Sequence, residues 1–192
     1  MMCLPKFINS LMDSEIKKAV KILNAGGIII YPSDTIWAIG CDATNENSVD
    51  KIYKIKNRHK STPFICLMPN YNMIKKYAYI NQEIIDVLEK IDEPTTVIYN
   101  GVKNLKTFSN SIGIRIPKDS FCYNLLSQFK KPIVSTSVNM SGDDFAVCFE
   151  DINKSILQEV DFAVNLRRNE KLVKASKIIK INKDNSITTI RS

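Results

Sequence analysis

The chain has 192 residues and a mass of 21.8 kDa, the size of one large domain that buries roughly 70% of the surface its unfolded form would expose. With 44% hydrophobic and 24% charged residues it has the balance of a soluble globular protein, and no apolar run approaches the roughly 20 residues a membrane span needs. Its net charge of +7, from 27 Lys and Arg against 20 Asp and Glu, fits an anionic partner such as a nucleotide or nucleic acid, although coding bias toward Ile, Asn and Lys would give the same sign.

The opening segment MMCLPKFINSLMDSE has one Lys, no long apolar stretch and no small-residue cleavage pattern. It does not read as a secretory signal, and the expected location is the cytoplasm. Ile16, Ala19, Val20 and Leu23 then recur at helical spacing over 14–25, with Asp13 as the expected N-cap and Gly26-Gly27 as the stop. GIIIYP lacks alternation and reads as a strand buried on both faces. It exits through Pro32 into Ser33, Asp34 and Thr35 and an apolar turn ending at Gly40.

Thr44 is placed to cap a second helix carrying Val49, Ile52, Tyr53 and Ile55, and PFICLMP at 63–69 is the next buried strand. A helix near 81–91, strands at 95–100 and 112–116, a helix at 119–129 and a strand at 132–136 follow. Beyond Gly142 come a short helical segment near 149–156 and strands near 161–165, 176–182 and 186–191, the last two joined as a hairpin around KDNS. The pattern predicts an α/β fold with a mixed sheet in one domain spanning 1–192, with no repeat or low-complexity linker.

Four stretches could carry chemistry. In YPSDTIWAIG, short polar side chains gather at a strand end, either as a ligand loop or as a simple Asx or Ser/Thr turn. KIKNRHKSTPF places five basic residues between Lys54 and Lys60, counting His59. Lys56 and Arg58 there suit either a helix C-terminus or a phosphate clamp. Arg115, between Ile114 and Ile116 on an interior strand with Ser111 just before, needs an internal acid or a bound anion. KPIVSTSVNMSG ends a strand with Ser135, Thr136, Ser137 and Asn139, a set suited to a polar, multiply hydrogen-bonded small molecule.

What is missing narrows the class. The sequence has no G-x-S-x-G elbow, no Walker lysine motif and no G-x-G-x-x-G. The five cysteines (Cys3, Cys41, Cys66, Cys122, Cys148) are dispersed without a C-x-x-C pair, so disulfides and thiolate metal sites are not expected. His59, the single histidine, reads as a polar loop residue and cannot assemble a zinc site with those cysteines.

Taken in order, GGIIIYPSDTIWAIGCDATN, KIYKIKNR, SIGIRIP and KPIVSTSVNMSG resemble the successive signatures of the YrdC-like family of threonylcarbamoyl-AMP synthases, over Gly26 to Arg191. The family's Lys-x-Arg and Ser-x-Asn pairs stand here as Lys56-Asn57-Arg58 and Ser137-Val138-Asn139. The resemblance implies a single YrdC-like domain, a twisted mixed β-sheet flanked by helices with a basic concave cleft. It implies condensation of L-threonine, bicarbonate and ATP to threonylcarbamoyl-AMP and pyrophosphate, for t6A modification of tRNA.

By the same resemblance Lys56 and Arg58 are catalytic. Thr35, Arg115, Ser137 and Ser176 bind threonine, and Arg58, Ser111, Asn139 and Arg191 bind ATP. Magnesium would arrive with the nucleotide, with no metal held by the protein itself. A separate transferase would act on tRNA, with at most weak contact between this chain and tRNA and no membrane partner. The chain departs from the usual pattern at Ser33, Ala38 and Val138 and, more distinctly, at Leu67, Val147 and Lys177, which bear on the late nucleotide and threonine contacts. The competing class is a non-catalytic relative that binds RNA or ribosomes. The intact Lys-x-Arg and Ser-x-Asn pairs favour the enzyme.

Overall fold

The structure is a computed structural model that describes residues 4–108, 110–182, 184 and 186–192. Its first helix, α1 (Leu4–Asn24), starts well before the expected boundary. Asp13 therefore lies inside the helix instead of capping it, because nothing in 4–13 interrupts helix formation and Pro5 falls in the first turn, where a missing N–H costs little. Cys3 lies outside the described residues.

Strand β1 (Ile29–Pro32) follows, and where an apolar turn was expected the chain forms a second strand, β2 (Trp37–Gly40), antiparallel to β1. The residues WAIG are buried on both faces, so no alternation marked them as a strand. Helix α2 (Glu46–Ile55) is capped by Asn45, whose side chain accepts from the Ser48 amide. Thr44, the expected cap, instead donates its amide and hydroxyl to Asp42.

Beyond β3 (Ile65–Leu67), the short α3 (Tyr71–Tyr77), capped by Asn70, was not foreseen because Ile74 is its only fully buried residue. Helix α4 (Gln82–Leu88), strands β4 (Thr95–Asn100) and β5 (Ser111–Arg115), helix α5 (Ser120–Phe129, capped by Asp119) and β6 (Ile133–Ser137) follow the predicted order. A 3-10 turn at Phe149–Asp151, helix α6 (Lys154–Gln158), β7 (Phe162–Ala163), β8 (Lys177–Ile181) and β9 (Ile187–Arg191) complete the chain. Strands β8 and β9 pair antiparallel as expected. Lys183 and Asn185 of the connecting turn lie outside the described residues.

The strands form one mixed sheet in the order β7-β1-β2-β6-β3-β5-β4-β8-β9. Alternation along β1 divides the core between the two faces. Ile28 and Ile30 join Trp37, Ile39 and the α2 residues Val49 and Ile52, while Ile29 and Tyr31 pack with α1 and α5 through Ile16, Leu23, Leu125 and Leu126. Strand β6 joins the two halves: Ile133, Val134 and Ser135 pair with β3, and Thr136 and Ser137 pair with β2. Gly40 permits this convergence, since a Cβ there would stand 2.2 Å from the Val134 carbonyl oxygen.

Candidate active site

Where β6 runs past its pairing with β3 while staying paired with β2, the structure opens into a cleft of about 430 Å³. The β1–β2 turn forms one wall, the loop after α2 and the end of β6 form others, and Thr96, Arg115, Ser176 and Arg191 enter from β4, β5 and the C-terminal hairpin region. Of the residues the sequence singled out, Thr35, Arg58, Arg115, Ser137, Asn139, Ser176 and Arg191 meet in this space.

The β1–β2 turn is held by the Ser33 hydroxyl, which accepts from the Thr35 and Ile36 amides at 3.1 and 3.2 Å and donates to the Ile36 carbonyl at 2.7 Å. Thr35 Oγ1 stands 2.9 Å from Ser33 Oγ. The neighbouring Asp34 carboxylate pairs with Arg115 Nη2 at 3.2 Å and accepts the Lys118 amide at 3.1 Å. Arg115 is only 3% exposed and its Nε has no hydrogen-bond partner among the described residues. The structure thus supplies the internal acid that this arginine needs and also sets the residue in the wall of a ligand-sized cleft.

Lys56 is 1% exposed and does not line the cleft. Its ammonium lies behind the Ser137–Asn139 loop and donates to the Ser137 carbonyl, to the Asn139 carbonyl at 2.6 Å and to Asn139 Oδ1 at 3.1 Å. Burial, with the Arg58 charge adding to it, lowers its pKa from the ordinary 10.5 to about 8. Lys56 thus ties down the segment that carries Ser137 and Asn139, whose own side chains are linked by a bond from Ser137 Oγ to Asn139 Oδ1.

Arg58 is itself fixed by donation to the Thr62 and Pro63 carbonyls and by its guanidinium lying 5.0 Å from the Phe64 ring centre. Arg191 donates twice to the Ser176 carbonyl, at 2.7 and 3.1 Å, and Ser176 Oγ is 2.8 Å from Thr96 Oγ1. Burial lowers the pKa of both Arg58 and Arg191, and the nearby Arg115 charge lowers that of Arg191 further. Three guanidinium groups share one cleft, which favours an anionic occupant.

Ser111 stands apart. It begins β5, paired with Asn100, roughly 13 Å along the strand from Arg115 by the usual rise, and is not among the residues lining the cleft. His59 is exposed and bonded to Ser61 Oγ at 2.7 Å, as expected for a polar loop residue. Leu67 packs in the α1–α5 core, and Lys177 reaches Glu93 at 3.1 Å, so neither departure from the family pattern faces the cleft. The Val147 carbonyl accepts the Leu172 amide, tying the segment before the 3-10 turn to the loop before β8.

Ser135 and Thr136, singled out with Ser137 and Asn139, also line the cleft, whereas sequence reasoning missed Thr96, Asp143 and Phe145, which line it too. Thr96 could have been found from its pairing opposite Arg115, but register is not visible in one isolated strand. Cys41, Cys66 and Cys122 are buried free thiols, and Cys148 is free and partly buried. Among the described residues no group of three or more His, Cys, Asp or Glu side chains forms a candidate metal site, and no helix is long and apolar enough to cross a membrane.

A mixed α/β fold with a basic, hydroxyl-lined cleft matches a defined class. The family model for Sua5, YciO and YrdC proteins, described as Telomere recombination, matches residues 21–192. A Methanocaldococcus jannaschii protein provisionally named threonylcarbamoyl-AMP synthase is 33% identical over 192 residues, covering 96% of this chain and 90% of its own. The Psychromonas ingrahamii threonylcarbamoyl-AMP synthase is 30% identical over 152 residues, covering 75% and 80%. P. abyssi Sua5, solved in complex with L-threonine, superposes with a TM-score of 0.78 at 17% identity over 92% of this chain. This chain spans 53% of that Sua5.

The chain belongs to the Sua5/YciO/YrdC family. Within it, the similarity to proteins named as synthases places it among enzymes of the nucleotidyltransferase type.

Proposed function

We propose that this protein condenses L-threonine, bicarbonate and ATP into threonylcarbamoyl-AMP and pyrophosphate. The observation that carries the reading is the convergence of Arg58, Arg115 and Arg191 with neutral hydroxyl and amide groups in one cleft. The threonine bound in the P. abyssi Sua5 complex supports the amino-acid half of the assignment.

The threonine amine adds to the bicarbonate carbon with loss of water, giving N-carboxythreonine. A carbamate oxygen of that species attacks the α-phosphorus of ATP, and the α–β bridging oxygen leaves with pyrophosphate. Every reactant carries negative charge, so the main demands on the protein are alignment and neutralisation. Arg115 takes the threonine carboxylate or the carbamate, with Thr35, Ser137 and Ser176 as hydroxyl partners. Arg58, Arg191 and Asn139 hold the nucleotide, and Lys56 supports catalysis by fixing the loop that presents Ser137 and Asn139.

Ser111 joins the ATP contacts if the nucleotide runs along β5 over Gly113, since residues 111, 113 and 115 share one strand face. Magnesium travels on the phosphates, because Asp143 is the single carboxylate among the residues lining the cleft, and the buried Asp34 pairs with Arg115 and the Lys118 amide. We place the reaction in the cytoplasm, within one domain spanning 1–192, with a separate transferase carrying the threonylcarbamoyl group to tRNA. The test is pyrophosphate release by the purified protein. Release only when ATP, threonine and bicarbonate are all present supports the proposal, and release independent of threonine or bicarbonate, or no release at all, overturns it.

A further inference from the structure

The hydrogen bonds within the β1–β2 turn leave the Ser33 carbonyl free to take a partner from elsewhere in the chain. That oxygen accepts a bond from Arg167 Nη1 at 3.1 Å, from a residue 134 positions later in the chain. The other side of the same guanidinium is gripped by Glu170 in a two-pronged pair, Nε to Oε2 at 2.6 Å and Nη2 to Oε1 at 2.7 Å. Asp119, the cap of α5, stands 4.0 Å from Nη1. Each nitrogen of the planar fork thereby donates to a protein group, and Arg167 is not among the residues that line the cleft.

The backbone points the same way. Arg167 adopts φ of 54°, a left-handed conformation that a branched or long side chain enters at a cost. The 167–170 turn is closed by the Glu170 amide donating to the Arg167 carbonyl at 3.0 Å. The adjacent Arg168 anchors the same loop from its other side: its guanidinium lies 3.9 Å from the Phe149 ring centre, and its carbonyl accepts the Phe149 amide. The loop then runs on to Ala175 and Ser176 in the cleft wall.

We propose that Arg167 is a positioning residue, a strap from the loop before β8 that holds the Ser33–Ile36 turn and so sets where Thr35 stands in the cleft and where Asp34 meets Arg115. Asp34 in turn sets Arg115, so the strap acts on the amino-acid side of the site through two residues that do meet ligand. Its effect on threonine use rests on the reaction proposed above; its effect on the turn does not.

The decisive variant is Arg167→Gly, because glycine adopts the left-handed conformation freely and offsets the lost contacts. Its thermal midpoint should stay within about 3 °C of the parent. Amide exchange at residues 33–36 in the ligand-free protein should accelerate roughly fivefold, the effect of releasing one net hydrogen bond. Exchange in the α1–α5 core should not change. The KM for threonine should rise about five- to tenfold while the KM for ATP holds, and Arg167→Lys, which keeps one donor but not the fork, should show the same pattern more weakly.

Unchanged exchange at 33–36 overturns the strap. Faster exchange with equal losses for threonine and ATP overturns its specific role on the amino-acid side. If the parent protein itself releases no pyrophosphate, the proposed reaction fails, while the exchange measurement still decides whether Arg167 holds the turn.

Discussion

Strands β4 and β5 present two unlike faces. One carries Thr96 and Arg115 into the cleft. The other sends Val97, Tyr99, Ile114 and Ile116 into a smaller cavity of about 180 Å³, walled by Ile74 of α3, Leu88 of α4 and Ile91 just beyond it. Period-two alternation therefore makes each cleft residue the immediate neighbour of a core residue, and the charged face inherits its rigidity from the apolar one. Substitutions on the first face should remove activity and those on the second should remove stability, except where a cleft residue is itself half of a buried pair.

Arg115 is that exception and should show the largest effect. Arg115→Met should lower kcat/KM at least about 100-fold and also cost about 3–5 kcal/mol of stability, because it leaves the Asp34 carboxylate buried without its cation. The double variant with Asp34→Asn should recover much of the stability and none of the activity. Denaturant titration beside pyrophosphate release separates the two, and a double variant as unstable as the single one would show that the ion pair is not what Arg115 contributes to folding.

Ile114→Ala, one residue away on the opposite face, should cost about 2–5 kcal/mol with kcat/KM nearly unchanged at temperatures where the variant stays folded. A large loss of kcat/KM at full folding would show that the faces are coupled more tightly than alternation implies. Arg58→Ala should reverse the pattern. The KM for ATP should rise by about 10- to 100-fold, the equivalent of a lost charge-assisted contact of about 1.5–3 kcal/mol, while the thermal midpoint barely moves. Normal ATP use with a depressed midpoint would move Arg58 from the site to the scaffold.

The smallest effect is a gradient with pH. The folded-state pKa of Lys56 is lowered to about 8 from 10.5, so between those values the unfolded chain binds the extra proton and stability should rise with pH. Lys56→Met should lack that part of the rise. Activity should move oppositely, falling above about pH 8 as the ammonium that holds Ser137 and Asn139 loses its charge. Parallel pH profiles of stability for parent and variant would remove Lys56 from this account.

The sequence shows the cleft side of this comparison better than the core side. Motif residues on loops and at strand ends, such as Thr35, Arg58, Ser137 and Asn139, are legible because short polar groups there have few structural reasons to cluster. Strand β2 was hidden because burial on both faces erases alternation. Helix α3 was hidden because it offers the core a single fully buried side chain. The supporting role of Lys56 and the strap from Arg167 depend on contacts between distant segments, and a charge run or an ordinary arginine in a loop carries no mark of them.

The division of β6 between two neighbours also bears on how the molecule is made. The β1–β2 hairpin can close as soon as its residues are available, but β3 must wait for β5 and β6, and β2 must wait for β6, before either has its full set of partners. Pairings of such long sequence separation form slowly, since loop closure precedes the gain from contact. Ser137 and Asn139 reach Lys56 only when that strand docks, and Ser176 and Arg191 arrive later still during synthesis. A growing chain therefore completes its cleft only when its last strands are made, and ligand added during refolding should bind only in the last kinetic phase.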